Sequence, residues 1–359
     1  MRLTSDDKST RPSYVSFRDN FLNLLKSAGL NHHRQIIPGL GWQNESLSQD
    51  FAVYNCGAPT TLVHLSGVHG VEGYVGSCIQ ETILKNMAND FQDQKINVVF
   101  VHAVNPYGMS WYRRVNADNV DLNRNGLVGQ APNIEAPQNS DVFAFLSFLE
   151  SRTHLELWKQ MPQLFSKIRK FGFARAAQAI AGGQWQYPNV IFYGGQEIQP
   201  EVRLLPKILI DLVPTTKKFV VIDVHSGLGP RGHDSLLVAD HNQMDFFLLA
   251  TAEASKSHVV DTSPSSKVPL YRSRCALEDF LRQEWSHYEF AYLTQEFGTL
   301  FFGQVLATLI LENSRFHENP LDPERPELSL KSFFPSDLKW QATCRQAGLA
   351  RFTQILRAL

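Results

Sequence analysis

Short apolar segments that alternate with longer amphipathic ones constrain the fold of this chain more than any other feature of its sequence. Several of these segments are apolar at nearly every position, as strands are when helices cover both faces of a sheet. The strand-like segments are residues 61–66, 97–103, 189–193, 218–225, 235–240 and 290–296. The helical patterns between them are at about 73–89, 142–181, 199–213, 242–256 and 301–313. This order predicts an α/β fold with three layers, α/β/α.

The two ends of the chain predict extensions of one large domain. The three predicted parts are residues 1–50, 51–319 and 320–359. The first combines a helical pattern at about 17–28 with a turn-rich link, and we expect it to pack on the core. A mostly helical insertion is predicted at about 126–188, and an amphipathic helix near 336–357.

Charge and composition exclude several classes of partner. The chain has 34 Lys and Arg against 35 Asp and Glu and no long basic block, so neither nucleic acid nor an anionic membrane is an expected partner. The first twenty residues lack an apolar core like that of a signal peptide. The four cysteines are scattered and form no CxxC pair, which indicates reduced thiols. A cytoplasmic location is the expectation.

A glycine-rich turn, Ser66–Gly73, carries the first candidate metal ligands. His69 and Glu72 lie three residues apart in it, after the strand predicted at 61–66. An imidazole and a carboxylate that point to one place are suitable zinc ligands. Such a pair also occurs on protein surfaces, so the spacing alone leaves both interpretations open.

His225 is a third candidate ligand because it ends the apolar segment 218–225. The carboxyl ends of buried strands are where α/β sheets bind ligands. A polar loop rich in Arg and Asn, residues 113–125, follows the segment 97–103. Its side chains match the paired oxygens of a carboxylate. Because Asn and Asp also favour turns, a solvated loop is the alternative.

Together these motifs resemble those of zinc carboxypeptidases: HxxE, an Arg followed by VDLNRN, a DxH after a strand, and a late Glu. The chain is also similar to a bacterial subgroup of that clan known as a domain of unknown function. They share HGVEG, HAVNPYG, RRVN, NVDLNRN, FYGG, DVHSGLGP and EFGT, over about residues 50–315. Aspartoacylases and succinylglutamate desuccinylases share a shorter version.

The resemblance implies a mixed, mostly parallel central sheet and a zinc-dependent hydrolase of peptide or N-acyl amide bonds. The middle part, 51–319, would be the catalytic domain. The alternatives are an N-acyl amino acid deacylase of the aspartoacylase or desuccinylase type, and an inactive relative that binds a metal or ligand.

The resemblance also implies roles for individual residues. His69, Glu72 and His225 would hold one Zn²⁺ per chain, with a second metal left open. Asp121 would orient His69, since histidine ligands commonly donate their second N–H to a carboxylate. Glu296 would be the general base, although a Glu that ends a strand can also cap the next helix.

The Arg and Asn loop would serve the substrate. Arg114 would stabilise the oxyanion, with Arg113 as the alternative because the alignment is uncertain by one residue. Asn123 and Arg124 would bind the free carboxylate of a small peptide or acylated amino acid. Gly126 stands where many relatives have an aromatic residue, so the floor of this carboxylate site is expected to differ.

Some features remain open or are set aside. The mobile tyrosine of the carboxypeptidases has two candidates, Tyr193 and Tyr271, and His233 is a candidate to line the cleft. The segment 227–232 matches GxGxxG, but Pro230 interrupts it and no helix is predicted to follow, so a dinucleotide site is not expected. The sequence has neither the GxSxG of serine hydrolases nor the HExxH of thermolysin-like proteases.

Overall fold

The computed structural model describes residues 11–126, except 88–90 and 92–94, and residues 182–359, except 252–257 and 264–272, with isolated positions between 155 and 169. Within these residues eight strands form one sheet. In chain order β1 to β8 are Asn31–Leu40, Ser46–Tyr54, Thr60–Ser66, Asn97–His102, Lys218–Gly227, Asp234–Val238, Val259–Asp261 and Glu289–Gly298. Their order across the sheet is β1-β2-β4-β3-β5-β8-β6-β7. Four neighbouring pairs are parallel and three are antiparallel, so the sheet is mixed and mostly parallel.

Helices cover both faces of this sheet. The described α-helices, α1 to α10, are Tyr14–Ala28, Gly73–Met87, Pro106–Ser110, Pro200–Arg203, Leu205–Leu212, Met244–Ala250, Leu277–Glu284, Phe302–Glu318, Arg325–Phe333 and Leu338–Ala358. Short 3-10 helices are Gly70–Glu72, Leu122–Arg124 and His241–Gln243. Helices α1, α2, α6 and α8 to α10 contribute to one hydrophobic cluster, and α4, α5 and α7 to the other. None of the described helices has the length and apolarity needed to cross a lipid bilayer.

The central strand β5 shows how the sheet separates the two clusters. Successive side chains of a strand point to opposite faces. Val220 and Ile222 belong to the cluster around α2, whereas Phe219 and Val221 belong to the cluster around α5 and α7. The same alternation places Asp223 and His225 on the α5 and α7 side, at the carboxyl end of the strand.

The segment 189–193, predicted as a strand, is a turn, and that prediction was wrong. It makes an isolated bridge between Tyr193 and Gln184. Phe192 has a positive φ of 60°, which a strand does not accommodate. The segment is apolar because Val190 and Phe192 are buried against the core, at 1% and 4% exposure, and burial alone does not require a strand.

Two strands lie in the segment predicted as a turn-rich link. β1 and β2 form an antiparallel hairpin that joins the sheet through β4. β1 is polar and mostly exposed, and β2 buries Ser48, Gln49 and Asp50. Neither strand has the apolar alternation that identifies one from sequence. The predicted boundary between residues 50 and 51 falls within β2, and the division into domains stays a prediction.

The other predicted elements agree with the structure to within a few residues, where the structure describes them. The amphipathic helix predicted near 336–357 is α10, which buries Trp340, Cys344 and Phe352. The short β7 and the helices α3, α7 and α9 were not predicted. Most of the helical insertion at about 126–188, including the pattern at 142–181, lies outside the described residues.

Candidate metal centre and active site

The turn after β3 brings His69 and Glu72 to the edge of the sheet. The chain leaves β3 through Gly67, whose φ of +71° is in the left-handed region that favours glycine. Gly70 must also be a glycine, because a Cβ there would overlap the backbone of Gly108. His69 then precedes the 3-10 helix that contains Glu72. The glycines of this motif are therefore required by the turn that presents both side chains.

His225 and Glu296 reach the same edge from two neighbouring parallel strands. They are directly in register across β5 and β8. Residues paired in this way lie side by side on one face of a sheet. The N–H of Leu228 donates to Glu296 Oε1 at 2.9 Å and holds that carboxyl group in place.

Three side chains converge at this edge. His69 Nδ1 lies 2.9 Å from His225 Nδ1. One oxygen of Glu72 lies 3.0 Å from His69 Nδ1, and the other lies 3.0 Å from His225 Nδ1. All three residues are buried, with 3% exposure or less. Among the described residues they are the one group of His, Cys, Asp and Glu side chains that could hold a metal ion.

The hydrogen bonds of the two Nε2 atoms determine which atoms of His69 and His225 can bind a metal. His69 Nε2 lies 3.0 Å from Asp121 Oδ1, and His225 Nε2 lies 2.7 Å from Asp223 Oδ2. A carboxylate only accepts, so each Nε2 carries a proton, and when the ring is neutral, as a metal ligand must be, Nδ1 turns a lone pair inward. Two such lone pairs and the carboxylate of Glu72 would repel each other unless a proton or a metal cation lies between them. This donor set fits zinc, and three protein ligands leave the metal an open position.

The net charge of the buried groups also fits a divalent cation. Close to the converging atoms four carboxyl groups lie against two guanidiniums, which leaves two negative charges if Glu296, whose pKa is raised to about 8, is ionised and one if it is protonated. The groups are Glu72, Asp121, Asp223, Glu296 and Arg124, which are buried, and Arg114, which is 11% exposed. Uncompensated charge is costly in a site of low dielectric, and one divalent ion would neutralise it.

The pKa values at the centre show the same preference for positive charge. Burial opposes ionisation of Glu72, but the charge of His69 and the hydrogen bond from His225 outweigh it and hold its pKa below the usual value. Burial also opposes protonation of His225, yet the charge of Asp223 holds its pKa well above the usual value. For Glu296, burial and then the charge of Glu72 raise the pKa to about 8.

Arg114, and not Arg113, faces the centre. Its Nη1 donates to Glu72 Oε1 at 3.1 Å and its Nε to Asp121 Oδ2 at 2.9 Å. Arg113 is fully buried on the other side, where its Nε donates to Glu312 Oε1 at 3.1 Å. Its guanidinium also stacks on the ring of Phe316, 3.6 Å from the ring centre. The geometry therefore places Arg114, rather than Arg113, beside the converging side chains.

Asp121 is the centre of a second group of contacts. Besides His69 and Arg114, it accepts the N–H of Asn123 at 3.0 Å, and Arg124 Nη1 lies 3.7 Å away. Although burial opposes ionisation, the charges of Arg114 and Arg124 hold the pKa of Asp121 well below its usual value. The carboxylate that contacts His69 Nε2 is therefore ionised at neutral pH.

Asn123 and Arg124 line a cavity of about 180 Å³ that also contains His69, Glu72 and Glu296. Asn123 Oδ1 accepts the N–H of Leu277 at 3.1 Å, which fixes the orientation of the amide. Arg124 is only 1% exposed, and its Nη1 donates to Asn123 O at 3.1 Å. The structure thus brings both residues to the cavity, with Arg124 deep in its wall.

The sequence of residues 11–346 matches the profile of a family described as "Protein of unknown function (DUF2817)". The chain belongs to this family. A search of curated proteins found no match.

Solved structures of other proteins align with this DUF2817 chain. Thrombin-activatable fibrinolysis inhibitor aligns at a TM-score of 0.50 and 12% identity, over 99% of this chain and 77% of that one. Carboxypeptidase A from Helicoverpa armigera aligns at 0.49 and 14%, over 94% and 74%. A succinylglutamate desuccinylase from Silicibacter sp. TM1040 aligns at 0.37 and 15%, over 80% and 66%. At these identities the first likeness shows the fold alone, and it confirms the predicted fold class.

Three other sequence features of the DUF2817 chain are placed by the structure. Tyr193 is buried, and its carbonyl accepts the N–H of Asp121 at 2.7 Å, whereas Tyr271 lies outside the described residues. His233 stacks on His258, with ring centres 4.1 Å apart, instead of lining the cavity. Gly126 packs against Cys275 and the segment after it, where a Cβ would overlap the carbonyl of Ala276.

Two residues of the site were missed by the sequence reasoning, Asp223 and Tyr292. The hydroxyl of Tyr292 donates to Asp223 Oδ2 at 2.6 Å, and the same oxygen accepts His225 Nε2. The spacing DxH contained a signal for Asp223, because residues two apart in a strand share a face. Tyr292 precedes Glu296 by four residues in β8 and so shares its face, but nothing in its own sequence context marks it.

Proposed function

We propose that this chain is a zinc-dependent hydrolase of peptide or N-acyl amide bonds, of the carboxypeptidase type. The observation that supports it best is the convergence of His69 Nδ1, His225 Nδ1 and the Glu72 carboxylate beside Glu296, in one cavity. A metal ion there would be next to a carboxyl group that is not needed as a ligand, and this is the arrangement that hydrolysis by an activated water requires.

In the proposed reaction Glu296 is the general base. Its carboxylate takes a proton from the attacking water and then delivers it to the leaving nitrogen. Zinc, when bound, supplies a Lewis acid that makes the water more acidic and polarises the scissile carbonyl. The Leu228 N–H keeps one oxygen of Glu296 in a fixed place, so the other oxygen is oriented for the proton transfer.

Arg114 is proposed to stabilise the oxyanion. It lines the cavity while Glu72 and Asp121 hold its guanidinium on two sides. A donor fixed in this way needs little reorganisation when negative charge develops, and losing such a donor typically costs about 3 kcal/mol. Asn123 and Arg124 are proposed to bind a free carboxylate of a small peptide or acylated amino acid.

The experiment that tests the proposal combines metal analysis with a substrate screen. Purified protein should contain one zinc per chain by elemental analysis, and His225→Ala should lose it together with activity. The exposed His287 offers a matched control, His287→Ala, which should keep both. Full metal occupancy in the His225→Ala protein would contradict the assignment of the centre.

The screen compares acylated amino acids with short peptides, each as the free acid and as the methyl ester. We expect hydrolysis of the free acids to be faster, because Arg124 lines the cavity. Equal rates on free and blocked substrates would argue for an endopeptidase or another amidase. Zinc binding without hydrolysis of either class would favour an inactive binding relative. The cytoplasmic location, which rests on the sequence, remains a prediction.

A further inference from the structure

A chain of short hydrogen bonds connects the wall of the cavity to the proposed metal position. The hydroxyl of Tyr292 donates to Asp223 Oδ2 at 2.6 Å. The same oxygen lies 2.7 Å from His225 Nε2. His225 then turns Nδ1 towards His69 and Glu72. All the members of this chain are buried, and Tyr292 itself lines the cavity.

The strand pairing explains why these groups meet. β5 and β8 are parallel neighbours, in which Val221 pairs with Tyr292 and Asp223 pairs with Thr294. Tyr292 is therefore diagonal to Asp223 on the same face, a distance that a long aromatic side chain can cover. The rigid sheet holds both ends of the Tyr292–Asp223 bond, so its geometry does not depend on a loop.

The two histidines differ in how their carboxylates are supported. Asp121, behind His69, has the guanidiniums of Arg114 and Arg124 beside it. Asp223, behind His225, accepts from Tyr292 and His225, and its Oδ1 is buried with no hydrogen-bond partner in the described part of the chain. Asp121 thus has three hydrogen-bond donors and Asp223 only two, so that loss of the Tyr292 hydroxyl would remove one of the two donors to Asp223.

We propose that Tyr292 is a positioning residue for the metal centre, which acts through Asp223 on His225. Its hydroxyl holds the carboxylate in the orientation that fixes the protonated Nε2 of His225 and so directs Nδ1 at the metal. The proposal rests on metal binding at the proposed site but does not require that the chain be a hydrolase.

Loss of the hydroxyl should therefore weaken metal binding. Without it Asp223 keeps one donor, and its carboxylate can rotate away from His225. The imidazole is then held less firmly in the orientation that directs Nδ1 at the metal. Removing a partner of this kind typically lowers metal affinity roughly 10- to 100-fold.

The test measures zinc affinity by competition with a chromogenic chelator for four proteins: the unmodified chain, Tyr292→Phe, Asp223→Asn and the double variant. We expect Tyr292→Phe to weaken zinc binding at least about tenfold. Asp223→Asn should weaken it at least as much, and the double variant should be no weaker than Asp223→Asn alone. Such non-additivity is what two groups acting in series produce.

A matched control distinguishes positioning from a general loss of packing. Tyr14 is also buried, and its hydroxyl donates to Ser48 O at 3.0 Å in a different part of the molecule. Tyr14→Phe should leave zinc affinity within about twofold. At saturating zinc Tyr292→Phe should recover most of any turnover, because the reacting groups are intact.

The other possible results either contradict or support the positioning role of Tyr292. Zinc affinity of Tyr292→Phe within twofold of the unmodified chain, or additive losses in the double variant, would overturn the proposal while leaving the proposed function in place. If Tyr292→Phe does not fold, an unchanged zinc affinity in Asp223→Asn would overturn it equally. The expected affinity pattern in a chain that hydrolyses no substrate would support the positioning role and contradict the hydrolase.

Discussion

A general base must be ionised, but Glu296 is buried, and burial opposes the ionisation of a carboxyl group. Burial and the nearby charge of Glu72 raise its pKa to about 8. A divalent cation beside Glu72 would act in the opposite direction and favour the ionised form. With the metal bound, Glu296 is therefore expected to be ionised and able to accept a proton.

The Glu296→Gln variant separates binding from chemistry. We expect it to keep zinc and fold while turnover falls by about 10²- to 10⁴-fold, because an amide cannot accept the proton of water. Turnover is measured on the best substrate of the screen, and zinc by elemental analysis. Glu284→Gln, an exposed residue at the end of α7, is the matched control and should behave normally. Loss of zinc in Glu296→Gln would instead indicate that Glu296 is a ligand.

His102 is a buried titratable group that does not line the cavity. It ends β4 in register with Asp50 and stacks on Phe21, with ring centres 4.8 Å apart. Neither ring nitrogen has a hydrogen-bond partner within the described residues. Burial lowers the pKa of His102 to about 4, with Asp50 opposing the effect and Arg18 adding to it. The folded protein therefore keeps this ring neutral at pH values where the unfolded chain protonates it.

This difference predicts a loss of stability in acid. Because the folded pKa is below the ordinary 6.5, the contribution of neutral His102 is fully present above pH 6.5 and is lost as pH falls towards 4. His102→Phe should therefore flatten the decline of the unfolding free energy over that interval, by about 3 kcal/mol in total. Urea unfolding at several pH values measures it. If the unfolding free energy of His102→Phe fell with pH as steeply as that of the unmodified chain and of the exposed control His287→Gln, then His102 would titrate normally.

At this scale His69, Glu72 and His225 could be predicted as candidate ligands because they stand in glycine-rich or strand-end positions. The structure brings these three side chains together. Tyr292 was not found, since its role depends on a diagonal contact across β5 and β8 that only the strand order creates. The choice between neighbouring arginines likewise required the three-dimensional position of Glu312.

At the scale of elements, strands that are apolar on both faces could be predicted from the sequence, whereas a strand that is buried through polar contacts could not. β3, β4 and β5 were predicted because both of their faces are apolar. β2 was missed because Asp50 and its neighbours are buried through bonds to other polar groups, such as the bond of 2.6 Å from Arg18 Nε. Residues 189–193 were assigned wrongly for the converse reason: they are apolar and buried, but φ of Phe192 excludes a strand.

The packing of α10 on α2 provides a prediction at this scale. Gly348 is buried in α10, and a Cβ there would overlap the side chain of Ile79, which is itself fully buried. Gly348→Val should therefore lower the unfolding free energy by about 2 kcal/mol through overpacking. Ala350→Val, exposed on the same helix, controls for helix propensity. Equal urea midpoints for the two variants would show that α10 shifts to make room.

At the scale of the whole molecule, both ends of the described chain are part of the architecture around the sheet. The hairpin of β1 and β2 extends the sheet on one side, and α10 packs on α2 and is tied to β6 by Arg351, whose Nε donates to Asp234 Oδ2 at 2.8 Å. The class and layers of the fold could be predicted from alternating segments. The position of β8 between β5 and β6 could not, because strand order depends on crossovers that local patterns do not record.

The sequence distance between the converging side chains has a consequence for the newly made chain. His69 and His225, whose ring nitrogens meet at 2.9 Å, are 156 residues apart, and β8 follows later still. During translation His69 and Glu72 leave the ribosome long before their partners exist. A nascent chain therefore has only an incomplete set of candidate ligands and no Glu296, so the site, with any activity that it has, cannot assemble before β8 has been made.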